Sequence, residues 1–135
     1  MNKFLYLAIL ASLSFNIYAH DFSGTYDCVG KDAHEGEYKG QVIMKLKPDL
    51  SPKGYQSYDF TLKVPEYGDY HGFAAVKGLD AGIYFGLEDK TNNDYGVGIA
   101  RFSQNKKQQW TFHKFYFEPG YKGGNTGIED CIQQK

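Results

Sequence analysis

Beyond residue 20 the chain alternates apolar and polar positions two by two. Phe22, Tyr26 and Cys28 share one face of a first extended segment. Val42, Met44 and Leu46 alternate with Gln41, Lys45 and Lys47, and Tyr58, Phe60, Leu62 and Val64 alternate with Asp59, Thr61 and Lys63. Tyr70, Gly72, Ala74 and Val76 form the next face, followed by Ile83, Phe85 and Leu87, and then by Val97 and Ile99. A period of two is the mark of strands with one buried side, and no sustained helical period competes with it. Trp110 to Phe117 is apolar or aromatic on both faces. That predicts a strand that is central in its sheet or covered on its second side.

Turn chemistry separates these segments. Lys31 to Gly36 reads as a polar, loose connection, and Pro48 to Gly54 as a loop with two prolines. Pro65–Asp69, Gly78–Gly82, Asp89–Asp94 and Ser103–Gln108 supply the other breaks. Seven strands result, or eight with Ile128–Gln133, at about ten-residue spacing. The fold class expected is all-β: a single small antiparallel β-barrel, or a sandwich, of seven to eight strands. Gly24, Gly40, Gly72, Gly86, Gly96 and Gly98 fall inside strand-like segments, as glycines do at barrel corners and bulges.

The first residues read as an address. Lys3 gives a positive start, Phe4 to Ile17 is mostly apolar, and Tyr18–Ala19 ends on a small residue. Positive tip, apolar middle and small residue describe a secretory signal peptide cut after Ala19. The apolar run is shorter than the roughly 20 residues a membrane span needs. The expected organisation is a signal peptide over 1–19 and one β-barrel domain over 20–135, exported to the periplasm or beyond. An oxidising compartment makes the only two cysteines, Cys28 and Cys131, a disulfide. It would join the last strand or tail to the first strand. Closing so long a loop contributes roughly 4–5 kcal/mol in chain-entropy terms.

Composition narrows the partners. With 15 basic and 16 acidic side chains, the chain has no electrostatic footprint for nucleic acid. At 41% apolar it is not a disordered chain, and two cysteines cannot build a four-cysteine zinc site. Neither a cofactor nor a metal is expected. His20, freed as the mature N-terminus, would offer copper(II) an amine and an imidazole, with His34, His71 or His113 as a third nitrogen ligand. A cut that happens to fall before a histidine explains it more simply. Asp32, His34, Glu35 and Glu37 read as a solvated loop, and Glu88 to Asp94 lacks the ligand spacing of a calcium loop. Glu66, Asp69 and His71 are the nearest approach to an acid–base set. The sequence carries no nucleophile elbow, phosphate-cradling loop or dinucleotide fingerprint, so no enzyme is expected.

Phe22-Ser23-Gly24-Thr25-Tyr26 resembles the Gly-x-Trp opening of the lipocalin-like, or calycin, barrels, with Tyr26 in the tryptophan's place. Tyr26-Asp27-Cys28 together with Cys131 resembles the frame of bacterial periplasmic inhibitors of C-type lysozyme, although the Ser-Gly-x-x-Tyr segment of those inhibitors is missing. The first resemblance implies a small apolar ligand inside the barrel, touching Tyr58, Phe60, Phe85 and Trp110. The second implies a macromolecular partner, protein or glycan, met by aromatic loops. Tyr55, Tyr67, Tyr84, Tyr95 and Tyr121 are the tyrosines such loops would present. The expected function is therefore that of an exported, non-enzymatic binding protein, with the inhibitor-like role as the alternative.

Overall fold

The computed structural model describes residues 19–135. The expected signal peptide lies outside them, apart from Ala19. Eight antiparallel strands close into one barrel in which each strand pairs with its sequence neighbour and the last returns to the first. They are β1 Gly24–Asp32, β2 Gly36–Leu46, β3 Gln56–Val64, β4 Gly68–Lys77, β5 Asp80–Leu87, β6 Tyr95–Gln104, β7 Trp110–Glu118 and β8 Asn125–Gln133. Closure leaves no unpaired edge and gives eight strands an interior just wide enough for side chains. Among the described residues no helix is long and apolar enough to cross a membrane.

The seam between β1 and β8 is stapled. Cys28 pairs in register with Cys131, and the two form a disulfide pointing into the interior. The bond therefore joins first strand to last, as expected, and its presence accords with an oxidising location.

One end of the barrel is plugged by aromatic rings. Phe22 stacks on Phe102 at 3.9 Å and meets Trp110 edge-on. Its backbone is held from both sides: its N–H donates to the Tyr58 hydroxyl at 3.0 Å, and its carbonyl accepts from Tyr26 at 2.7 Å. Burial pushes the Tyr58 phenol up to about 12, so it stays a neutral acceptor here. Tyr26 is fully buried and packs on Phe102 and Phe112.

The inward faces expected of β1 to β5 are the inward faces observed, but β6 is reversed. Val97 and Ile99 point outward, 54% and 69% exposed, while Gly96, Gly98, Ala100 and Phe102 point in. Large inward neighbours set this choice. A Cβ at Gly98 would lie 3.0 Å from the Lys114 side chain, and one at Gly96 would lie 2.8 Å from Phe85. The apolar side chains of β6 are left to the outer wall. There Val97 pairs with Phe117 and Ile99 with Phe115, both aromatic rings half exposed. β7 is internal to the sheet because a barrel gives every strand two neighbours, yet nothing in the described chain covers its outer face.

The first connection is also tighter than expected. The β1–β2 ladder runs on to Asp32 opposite Gly36, leaving three turn residues. Asp32 Oδ1 accepts the N–H groups of His34 and Glu35 at 2.9 and 3.0 Å, which replaces a loose loop with a side-chain-locked turn.

Candidate functional site

The end opposite the aromatic plug carries the β1–β2, β3–β4, β5–β6 and β7–β8 connections, and its interior is polar. Strand alternation brings the residues there. Counting inward by twos along β7 from Phe112 gives Lys114, Tyr116 and Glu118. Counting back along β8 from Cys131 gives Glu129, Gly127 and Asn125, and forward along β1 from Cys28 gives Gly30 and Asp32. Two of these glycines make room for phenols. A Cβ at Gly30 would lie 2.2 Å from the Tyr38 ring, and one at Gly127 would lie 2.1 Å from the Tyr116 hydroxyl. Each tyrosine lies across its glycine in the ladder, an arrangement in which the ring covers the bare backbone.

The phenols end on carboxylates. Tyr38 donates to Glu129 Oε2 at 2.6 Å, and Tyr116 donates to Asp32 Oδ2 at 2.6 Å. Tyr70 donates to Asp94 Oδ2 at 2.7 Å. Asn125 Nδ2 bridges Asp32 Oδ2 and Glu118 Oε1 at 2.8 and 2.6 Å. Lys114 and Glu129, 1% and 0% exposed, form an ion pair across the β7–β8 ladder. The Lys114 ammonium also lies 5.1 Å from the ring centres of both Phe60 and Phe85, and 5.6 Å from that of Tyr116.

The environment sets the protonation states. Burial by itself raises the Asp32 carboxyl. The hydrogen bonds from Tyr116, Asn125 and the two turn N–H groups more than offset it and hold Asp32 below its usual range. Glu118 goes the other way. Burial, a hydrogen bond with Asp94 and the Asp94 charge push it up to about 9, so it is a neutral acid at pH 7. Burial also raises the Tyr38, Tyr70 and Tyr116 phenols, each reinforced by its carboxylate partner.

These groups enclose a half-open cavity of about 70 Å³. That is several times the roughly 10–15 Å³ needed to hold one water. Its walls are Leu62, Val64, Tyr70, Phe85 and Tyr116; its polar lining includes Asp32, Asp94, Glu118, Lys114 and Glu129. Two buried acceptors find no N–H or phenol donor: Asp94 Oδ1 and Asn125 Oδ1. Glu129 Oε1 meets only the Lys114 ammonium. A chain of hydroxyls bridges three loops at the mouth. Tyr67 donates to Tyr121 at 2.8 Å, and Tyr121 donates to Glu35 at 2.7 Å, which Lys122 also reaches at 2.5 Å.

Of the four residues expected to touch a ligand, Phe85 lines this cavity. Phe60 lies beneath it against Lys114, and Tyr58 and Trp110 belong to the plugged end. Trp110 is stacked by His20 at 4.5 Å. The tyrosines proposed for loops do not form one surface. Tyr67 and Tyr121 meet at the mouth, Tyr55 lies in the β2–β3 loop at the other end, and Tyr84 and Tyr95 point outward from the wall.

The histidines are likewise dispersed. His34 Nε2 bonds the Gly124 carbonyl at the mouth, His113 pairs with Asp130 on the outer wall, and His20 lies at the plugged end. Asp69 and His71 do come together, with Glu88 rather than Glu66, on the outer surface; the His71–Glu88 separation is 3.9 Å. Glu66 occupies the β3–β4 turn with a left-handed φ of 67°.

Asp94, Lys114, Glu118, Asn125 and Glu129 were not apparent as site residues from sequence. The usable signal was register: each is an even number of residues from an inward apolar side chain or the disulfide, except Asp94, which closes a turn. Comparison with family models, curated proteins and solved structures finds no match for this chain.

Proposed function

We propose that this is an exported binding protein that holds one small molecule in the polar mouth of its barrel and does not transform it. The observation that carries this reading is the half-open cavity of about 70 Å³ faced by Asp94, a buried carboxylate one of whose oxygens meets no N–H or phenol. Buried polar atoms in folded proteins are nearly all satisfied, so unsatisfied ones facing a cavity point to a missing partner, either water or ligand. Aromatic walls with a few convergent polar groups are the usual make-up of a small-molecule site.

The ligand first expected, an apolar molecule against Tyr58, Phe60, Phe85 and Trp110, is moved in this proposal to the mouth end, where Phe85 is the shared wall. At the plugged end Phe22 is in ring contact with Phe102 and Trp110.

Export rests on the signal-like start and on the Cys28–Cys131 bond. Intact mass of the secreted chain should begin at His20.

Amide NMR with a library of small polar fragments tests the binding reading. Saturable shifts at Glu35, Tyr67, Asp94 and Glu118, with Trp110 unmoved, are the expected result. Shifts confined to the outer wall, or none that saturate, would overturn it.

A further inference from the structure

The cavity has too many acceptors for its donors. Asp32, Glu35, Asp94, Glu118 and Glu129 all line it, with Lys114 as the ammonium in the lining and Lys122 answering Glu35 at the mouth. Asp32 is saturated by four donors and needs nothing more. Glu129 is answered by Lys114 and Tyr38. The unbalanced part is Asp94 with Glu118. Asp94 is buried, one of its oxygens is held by Tyr70, and the other meets no N–H or phenol.

The barrel shows how it accommodates a positive charge. Lys114 sits against one carboxylate and three aromatic rings. Cations are drawn to ring faces at this range, more strongly where water is excluded. Around Asp94 the same elements recur: Tyr70 meets Phe85 edge-on at 5.9 Å, and Tyr67 stacks parallel to Tyr70 at 6.3 Å.

Resting on the small-molecule reading above, we propose that the cavity takes a small organic cation, an alkylammonium or guanidinium group, which seats against Asp94 and Glu118 and sends the proton between them to solvent. Two buried carboxyls that interact directly do not both ionise without a positive charge beside them. At neutral pH a proton on Glu118 supplies it, since burial and Asp94 push that acid up to about 9. A bound cation does the same work, so Glu118 ionises as the ligand enters.

The groups facing Glu118 come from every neighbouring element. Asp94 lies before β6, Asn125 starts β8, Asp32 ends β1 and Tyr70 lies on β4. Lys114, Tyr116 and Glu129 lie deeper. Glu35, with its Lys122 partner, and Tyr67 and Tyr121 stand at the mouth. Burial and the neighbouring Asp94 raise the Glu118 carboxyl, and it is this acid that a cation seated beside Asp94 would ionise. Binding should therefore tighten as pH rises.

Calorimetric titration of the exported chain tests this. Methylammonium, guanidinium and tetramethylammonium are compared with acetate and tert-butanol from about pH 6 to 9, in two buffers of different ionisation enthalpy. The expected result is one saturable cation site whose affinity rises nearly tenfold per pH unit, with close to one proton released. Glu118→Gln should abolish both the pH dependence and the proton release, and Asp94→Asn should weaken binding at least tenfold. Cation binding with no proton released would overturn the exchange. Acetate or tert-butanol binding as well as the cations would overturn the cation class while leaving the cavity reading intact. If no probe binds, both readings fail.

Discussion

Lys114 on β7 lies directly across the ladder from Glu129 on β8, and both side chains point into a barrel where neither meets bulk water. The pair sits two register positions from another inward pair, Phe112 and Cys131, so charge replaces apolar packing midway along the barrel. Desolvating two ions costs several kcal/mol each, and their attraction does not always recover it. Here the extra contacts are visible: Tyr38 donates to the second Glu129 oxygen, and three rings surround the ammonium.

Breaking this pair from one side should be costly. Lys114→Met leaves an uncompensated buried carboxylate and should lower unfolding stability by about 3–5 kcal/mol. Glu129→Leu should do the same from the other side. The double variant removes both charges and should recover most of the loss. Urea denaturation of the three variants gives the cycle. A double variant no better than the sum of the singles would refute the account.

Gly127 should tolerate no side chain. A methyl there would lie 2.1 Å from the Tyr116 hydroxyl, whose hydrogen bond to Asp32 holds β7 to the end of β1. Gly127→Ala forces that ring away and should cost about 1–3 kcal/mol. Gly82→Ala is the control, since a Cβ there meets nothing within 4 Å. Equal stability of the two variants in urea would count against this packing.

How much of this was legible before the fold was known depends on which residues are considered. The inward faces of β1 to β5 followed from alternation, because Tyr58, Phe60 and Leu62 are large, apolar and separated by polar positions. β6 misled for a physical reason: two of its inward residues are glycines, Gly96 and Gly98, which fit against Phe85 and Lys114 on the neighbouring strands. Period counting follows size along one strand and is blind to size across the ladder. The same blindness hid the site. Lys114 and Glu129 are brought together only when β7 and β8 are paired, and Asp94 reads as turn chemistry until the turn is folded over the barrel mouth. The disulfide needed no such knowledge, since only two cysteines were present.

That bond should matter most in the unfolded chain. Cys28 and Cys131 are 103 residues apart, so the bridge closes almost the whole described chain into a ring. Cys131→Ser should lower stability by about 2–5 kcal/mol while leaving the β-rich circular dichroism of the native state unchanged. The same loss should follow reduction of the wild type. An unfolding midpoint indifferent to reductant would contradict it.

Stability should also depend on pH through Glu118, and the sign is fixed by its environment. Its native pKa, about 9, lies above the 4.5 of an ordinary glutamate. A carboxyl raised on folding stabilises the native state only while both states keep the proton. As pH climbs above about 4.5, the unfolded chain gains by ionising and the folded one does not, so stability falls until about pH 9 and then levels. Asp32 acts in the opposite window. Its pKa is lowered in the fold, so its contribution is complete above the ordinary aspartate range and is lost on acidification. The tyrosines raised by burial enter only above about pH 10. Between about pH 5 and 9, then, melting temperature should decline in the wild type and flatten in Glu118→Gln, which keeps the shape but cannot ionise. A variant whose decline matches the wild type would show that Glu118 is not the acid the fold holds neutral. An organic cation at saturating concentration should flatten the wild-type curve in the same way, because it gives the ionised Glu118 a partner in the folded state.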